Sequence, residues 1–223
     1  MNWTDQVDIY CERTDLTFWS EPLNAVTNAA FVIAALICLR AARRAGRAEA
    51  LTLVLTLILI GIGVGSFLFH TFATRWAGMA DTLPIVVYIL VYLYAATRRY
   101  LGANQLFSIA APFLFLSFAV AFGALWSRAL PSINGSEGYF PVLIVLIGFS
   151  VALGLRRHGA AAGLLAAAAL FSLSLTFRSV DAALCGAVPI GTHFMWHVLN
   201  GTLLGVTLIT FIRHGARAET KPG

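Results

Sequence analysis

The chain has 223 residues, of which 59% are hydrophobic and only 11% are charged. A soluble domain carries about 25% charged residues, so this composition excludes an ordinary water-soluble globule and points to an integral membrane protein. The formal net charge of +5 does not argue for nucleic acid as a partner, because the basic residues are scattered over short loops between apolar stretches, a pattern that reports membrane topology.

In chain order, residues 1–20 are polar and acidic, with no basic n-region and no apolar h-region, so they do not read as a cleavable signal. A membrane-crossing helix takes about 20 apolar residues, and seven stretches qualify: 24–40, 51–72, 81–97, 107–125, 140–155, 161–177 and 192–212. The fifth and sixth are short and rich in Ala or Gly. The expected fold is an all-α, seven-transmembrane helix bundle. It forms one domain over residues 1–223, with an outer N-terminal segment (1–23), a disordered cytoplasmic tail (214–223) and no internal repeat.

The loop charges orient this bundle. Arg40, Arg43, Arg44, Arg47, Arg98, Arg99, Arg156, Arg157, Arg213, Arg217 and Lys221 fall on one side, and only Arg13, Arg75, Arg128 and Arg178 on the other. Positive charge favours the cytoplasm. The N-terminus is therefore expected outside and the C-terminus in the cytoplasm. The Ala- and Arg-rich composition suits a bacterial inner membrane.

Ionisable residues in apolar spans are costly and mark function. His193 and His197 are four apart and share one helix face, while His70 closes the second span. Two ligands from one helix and one from another is a common way to build a zinc site with an open fourth position. His158 and His214 adjoin arginines at the cytoplasmic surface and read as solvated. Ser66 lies one turn before His70; its plain reading is a bond back to a helix carbonyl, its functional one a donor to an oxyanion. Asp81 opens the third span, where it reads as a helix N-cap or as a general base. Glu21, Asn24 and Asn28 recur at helical spacing where the first span begins. With Asp8 and Glu12 they could cap that helix or form the oxygen shell that calcium prefers. All of these residues fall at the outer end of the bundle.

Of the three cysteines, Cys38 lies inside the first span and reads as a buried apolar residue. Cys11 and Cys185 both fall on the outer side, where oxidation is possible. A disulfide between them and two free thiols both fit the sequence.

Taken together, Tyr10-Cys11-Glu12, Glu21-Pro22-Leu23-Asn24 with Thr27-Asn28, Ser66-x-x-x-His70, Asp81-x-x-Pro84 and His193-x-x-x-His197 resemble the alkaline ceramidase family, in the superfamily shared with adiponectin-type receptors. The resemblance covers nearly the whole chain in the family's order. It implies a seven-helix zinc amidase that cleaves the N-acyl bond of ceramide to a long-chain base and a fatty acid. It places zinc on His70, His193 and His197, catalytic assistance on Ser66 and Asp81, and the family's calcium site near Asp8, Tyr10, Glu12 and Glu21.

One motif departs from the family. Eukaryotic members read roughly Asp-Trp-Cys-Glu-Glu-Asn, whereas this chain has Asp8-Ile9-Tyr10-Cys11-Glu12-Arg13-Thr14, with an extra residue after the Asp. The stretch from Cys11 to Glu21 is also about two residues shorter.

The implied chemistry uses Asp81 as the base toward water acidified by zinc and Ser66 as a donor to the carbonyl oxyanion. The acyl chain would enter from the outer leaflet into an apolar pocket walled by Phe67, Phe69, Phe72, Phe194 and Trp196. The expected partners are ceramide or a related N-acyl lipid and the surrounding membrane lipids. Two other functions fit the same scaffold. One is a receptor or sensor, which the short cytoplasmic loops disfavour. The other is an amidase or esterase acting on a different acyl lipid.

Overall fold

The computed structural model describes residues 2–215. Its elements in order are α1 (Pro22–Thr27), α2 (Ala29–Arg44), α3 (Ala50–Phe72), α4 (Arg75–Tyr100), α5 (Gln105–Ala129), a 3₁₀ turn (Ser136–Tyr139), α6 (Phe140–Leu155), α7 (Ala160–Leu184) and α8 (His193–His214). With α1–α2 and the 3₁₀ turn–α6 each counted as one segment, seven segments are long and apolar enough to cross a bilayer. The protein is thus an all-helical, multi-pass integral membrane protein. Of the tail expected at 214–223, His214 closes α8 and residues 216–223 lie outside the described residues.

The exposure pattern inverts that of a soluble protein. Leu155, Leu106 and Val120 are 83%, 78% and 72% exposed, whereas His70 and Asp181 are at 0%. Such an apolar exterior is stable only against lipid, and within lipid the backbone must satisfy its own hydrogen bonds, which helices do. The core between the helices is built by Phe31, Leu55, Leu59, Ile62, Leu164, Leu208 and Phe211. The most deeply buried span is α8. It lies against α2 where Gly201 faces Ala30; a Cβ there would come within 2.9 Å of the Ala30 backbone. Small residues at such crossings let membrane helices approach closely.

The helices begin and end in polar residues that the apolar windows miss. The third span starts at Arg75, six residues before Asp81, so Asp81 sits inside α4 and is not its N-cap. The cap position is Thr74, and its side chain makes no capping bond. The orphan N–H groups of this first turn are met by the N-terminal segment instead. Arg75 N donates to the Asp5 carbonyl and Trp76 N to the Trp3 carbonyl, both at 3.1 Å. Gln6 pairs with Thr74 in an antiparallel bridge. A helix end needs such partners, and here they lie about seventy residues away in sequence. Likewise α7 continues past Phe177 to Leu184, carrying Arg178 and Asp181 within the helix.

Two further ties hold the N-terminal segment down. Cys11 and Cys185 form a disulfide with Cα atoms 5.2 Å apart, while Cys38 is free and buried. Glu12 reaches the start of α1, its two carboxylate oxygens accepting from Leu23 N and Asn24 N at 2.7 Å each. These are N–H groups of the first turn, which lack intrahelical partners.

The α3–α4 crossing brings Ser66 and Asp81 face to face. Gly65 of α3 sits so close to Ala80 of α4 that an added Cβ would collide with the Ala80 carbonyl. We expect Gly65→Ala to cost about 1–3 kcal/mol, the usual range for overpacking a filled interface. Gly148, in α6, is exposed and has no atom near its Cβ position, so Gly148→Ala should be neutral or slightly stabilising. Thermal unfolding of the two variants in detergent compares them directly; equal melting temperatures would show that the crossing is not tight.

Candidate metal centre

Three histidines meet where α3 ends and α8 begins. His70 is in the last turn of α3, and His193 and His197 are in the first two turns of α8. One ring nitrogen from each lies within 4.8 Å of the others, and all three side chains are buried. Among the described residues this is the only cluster of three or more His, Cys, Asp or Glu that converges in this way.

The hydrogen bonding around the rings suits a cation. His70 Nδ1 lies 2.6 Å from Glu21 Oε2. A carboxylate can only accept, so Nδ1 carries the proton and Nε2 presents its lone pair. His197 Nδ1 lies 3.0 Å from Thr27 Oγ1, whose own hydrogen goes to the Leu23 carbonyl at 2.7 Å. Here too Nδ1 is the donor and Nε2 is left bare. His70 Nε2, His197 Nε2 and His193 Nδ1 are buried without any hydrogen-bond partner. An unmet buried polar atom costs about 1–3 kcal/mol, and three in one cluster call for a ligand that satisfies them together. Ligating histidines characteristically donate their second nitrogen to a carboxylate or other oxygen, as His70 and His197 do. Three histidine nitrogens are a donor set compatible with zinc.

Glu21 is the hub of this outer layer. It accepts from Arg13 Nε at 2.6 Å, Asn24 Nδ2 at 3.0 Å and His70 Nδ1 at 2.6 Å, and is almost fully buried. Burial pushes its carboxyl up, but the bonds from His70, Asn24 and Arg13 outweigh this and hold it below the usual carboxylate range. Glu21 is therefore ionised.

The four residues expected near calcium are placed as follows. Tyr10 stacks on the His193 ring at 3.6 Å with a 19° interplanar angle; burial raises its phenol above the ordinary value, so it stays neutral. Glu12 holds the start of α1, Glu21 serves Arg13 and His70, and Asp8 is exposed. Asp8, Glu12 and Glu21 do not bring their carboxylates into one cage.

Sequence reasoning did not single out Asp181. It is fully buried, and Oδ1 accepts from His193 N at 3.0 Å and from Thr192 N, while Oδ2 accepts from Cys11 N at 3.2 Å. It therefore fixes the start of the helix that carries two of the histidines. The apolar window ended the sixth span at Phe177 and left Asp181 in a loop, so no local signal marked it. Arg13 and Arg178 were read only as outer loop charges and Thr27 only as part of the family motif, since each acts on residues distant in sequence.

Asp81 interacts with Ser66 across the α3–α4 crossing, and Arg178 shares the polar chamber beside it. Two cavities adjoin this point. An apolar one runs among the helices, lined by Phe31, Ile62, Tyr88, Phe115, Phe149 and Leu203. A more polar chamber opens beside the N-terminal segment, lined by Trp3, Tyr10, Arg75, Asp81, Thr82 and Arg178. Tyr139 and Trp196 line both, and Arg178 stands over each of their rings at 5.5 Å. Of the expected walls, Trp196 takes that position and Phe69 lines the chamber. Phe67 and Phe72 pack outward against Phe18, and Phe194 lines neither cavity.

No curated protein matches the chain. The family model described as Ceramidase matches residues 6–222. This match spans almost the full sequence and contains every residue of the histidine centre and its carboxylate partners, and on it the chain belongs to the ceramidase family.

Proposed function

We propose that this protein is a membrane-embedded, zinc-dependent amide hydrolase that cleaves the N-acyl bond of ceramide, releasing a long-chain base and a free fatty acid. Membership of the ceramidase family supports amide hydrolysis of a ceramide-type lipid. The observation that carries the zinc assignment is the trio of converging ring nitrogens, three of them buried and unpartnered.

In this reading His70, His193 and His197 hold Zn2+. When bound, zinc supplies Lewis acidity and brings the pKa of water toward neutrality. Asp81 accepts the proton of the attacking water and delivers a proton to the nitrogen that leaves as the amine. Ser66 turns its hydroxyl from Asp81 to the carbonyl oxygen as negative charge builds there; one such donor contributes about 3 kcal/mol. Tyr10 and Asp181 keep His193 in place through its ring and its backbone.

The paired cavities suit an amphiphile. Hydrocarbon chains lie in the apolar cavity among the helices, and the hydroxylated head lies in the chamber with Asp81 and Arg178. Tyr139 and Trp196 mark the boundary where the amide reaches the histidines. The eleven-to-four division of basic residues supports a topology with the N-terminus outside and the C-terminus in the cytoplasm. The active site then faces the outer, periplasmic side of a bacterial inner membrane.

His197→Ala should remove zinc and abolish fatty-acid release from ceramide while the helical circular dichroism remains. A folded variant that keeps full activity would sink the zinc assignment. Asp81→Asn should retain about wild-type zinc content while kcat falls by about 10²- to 10⁴-fold, the usual contribution of a general acid–base group. Normal turnover would remove Asp81 from this role. Zinc content by elemental analysis and product release should be measured on the same samples.

A further inference from the structure

The side chain of Arg13 is buried, with 1% of its surface exposed, in a segment that precedes every helix. Its guanidinium has three partners. Nε donates to Glu21 Oε1 at 2.6 Å, Nη1 to the Asp15 carbonyl at 3.1 Å, and Nη2 to the His70 carbonyl at 3.0 Å. Glu21 in turn receives the His70 ring through its other oxygen at 2.6 Å. His70 is thus held twice by one ion pair: its backbone by Arg13 directly, and its ring by Arg13 through Glu21. His70 Nε2, the atom that faces the other two histidines, is the free end of this chain of bonds.

The arrangement is directional. A carboxylate buried beside a single neutral imidazole could rotate about its last bond and lose the ring. Fixing Oε1 with the guanidinium leaves Oε2 only one orientation. The His70 carbonyl is one of the last four of α3, a group without an intrahelical donor, so Arg13 also terminates the helix that delivers the ligand. The planar fork of Arg can serve a carboxylate and a carbonyl at once, which the point charge of Lys cannot do.

We propose that Arg13 is a positioning residue for the metal centre, setting the direction of the His70 ligand through Glu21 and through the end of α3. This rests on the reading of the three histidines as a zinc site. Partners of ligands typically contribute 10- to 100-fold to metal affinity. Arg13→Gln in the full-length detergent-solubilised protein should therefore bind zinc 10- to 100-fold more weakly in competition with a chromophoric chelator. Arg13→Lys keeps the charge and the fold; it should lose zinc affinity to a smaller degree, and it reads the same contact if the Gln variant does not fold.

Glu21→Gln and the double variant Arg13→Gln/Glu21→Gln complete a cycle. If Arg13 acts through Glu21, the double variant should be little worse than Glu21→Gln alone, because effects within one network do not add. Wild-type zinc affinity in folded Arg13→Gln and Arg13→Lys overturns the proposal, as do fully additive losses in the cycle. A wild-type protein that binds no zinc overturns instead the metal reading beneath it, so the two failures are distinguishable.

Discussion

The carboxylate of Glu21, ionised and almost cut off from water, is the constraint on which the rest of the centre depends. A buried negative charge is tolerable only when donors surround it, and here Arg13, Asn24 and His70 all do so. Meeting that need draws the N-terminal segment, the start of α1 and the end of α3 to one point. Removing one partner of such a buried pair costs about 3–5 kcal/mol, so the charge that orients a ligand also stabilises this end of the bundle. Of the acidic N-terminal residues that in isolation suggest an oxygen shell for calcium, Glu21 is paired with Arg13 and Glu12 holds the start of α1.

The same logic recurs at the opposite side of the cluster. Asp181 gathers backbone N–H groups from Cys11, Thr192 and His193, and the Cys11–Cys185 disulfide closes the loop beside it. The two buried carboxylates flank the three histidines, one fixing the end of α3 and the other the start of α8. The N-terminal segment touches both. It also completes the first turn of α4, so a stretch with little regular structure of its own organises three helix termini. Preorganisation of this kind matters for a metal centre, because a small displacement of a ligand alters its geometry.

The proposed substrate class rests on the two spaces beside this centre. Tyr139 and Trp196 line both a cavity with an almost wholly hydrocarbon lining and a chamber with Asp81 and two arginines. A water-soluble amide would gain nothing from the first space, and a pure hydrocarbon nothing from the second. A lipid with its amide bond at the junction of chains and head matches both. The stacking of Arg178 over Tyr139 and Trp196 keeps a positive charge at that junction without a carboxylate partner of its own.

Much of this was present in the linear chain. The low charge content and seven apolar stretches determine a multi-pass helical bundle, because hydrocarbon admits little else. The His193–His197 spacing determines that two histidines share a helix face, and Ser66–His70 repeats that interval on another. These are local properties, and helix geometry alone carries them. Tertiary structure decided what lies between distant segments. That Asp81 stands inside α4 depends on the carbonyls of Trp3 and Asp5, which accept from the N–H groups of its first turn. That Arg13 meets Glu21 and His70, that Asp181 holds the start of α8, and that Tyr10 covers His193 depend on packing across up to 183 positions. No periodicity encodes such pairings: they arise because buried charges and orphan N–H groups must find partners once the helices exclude water.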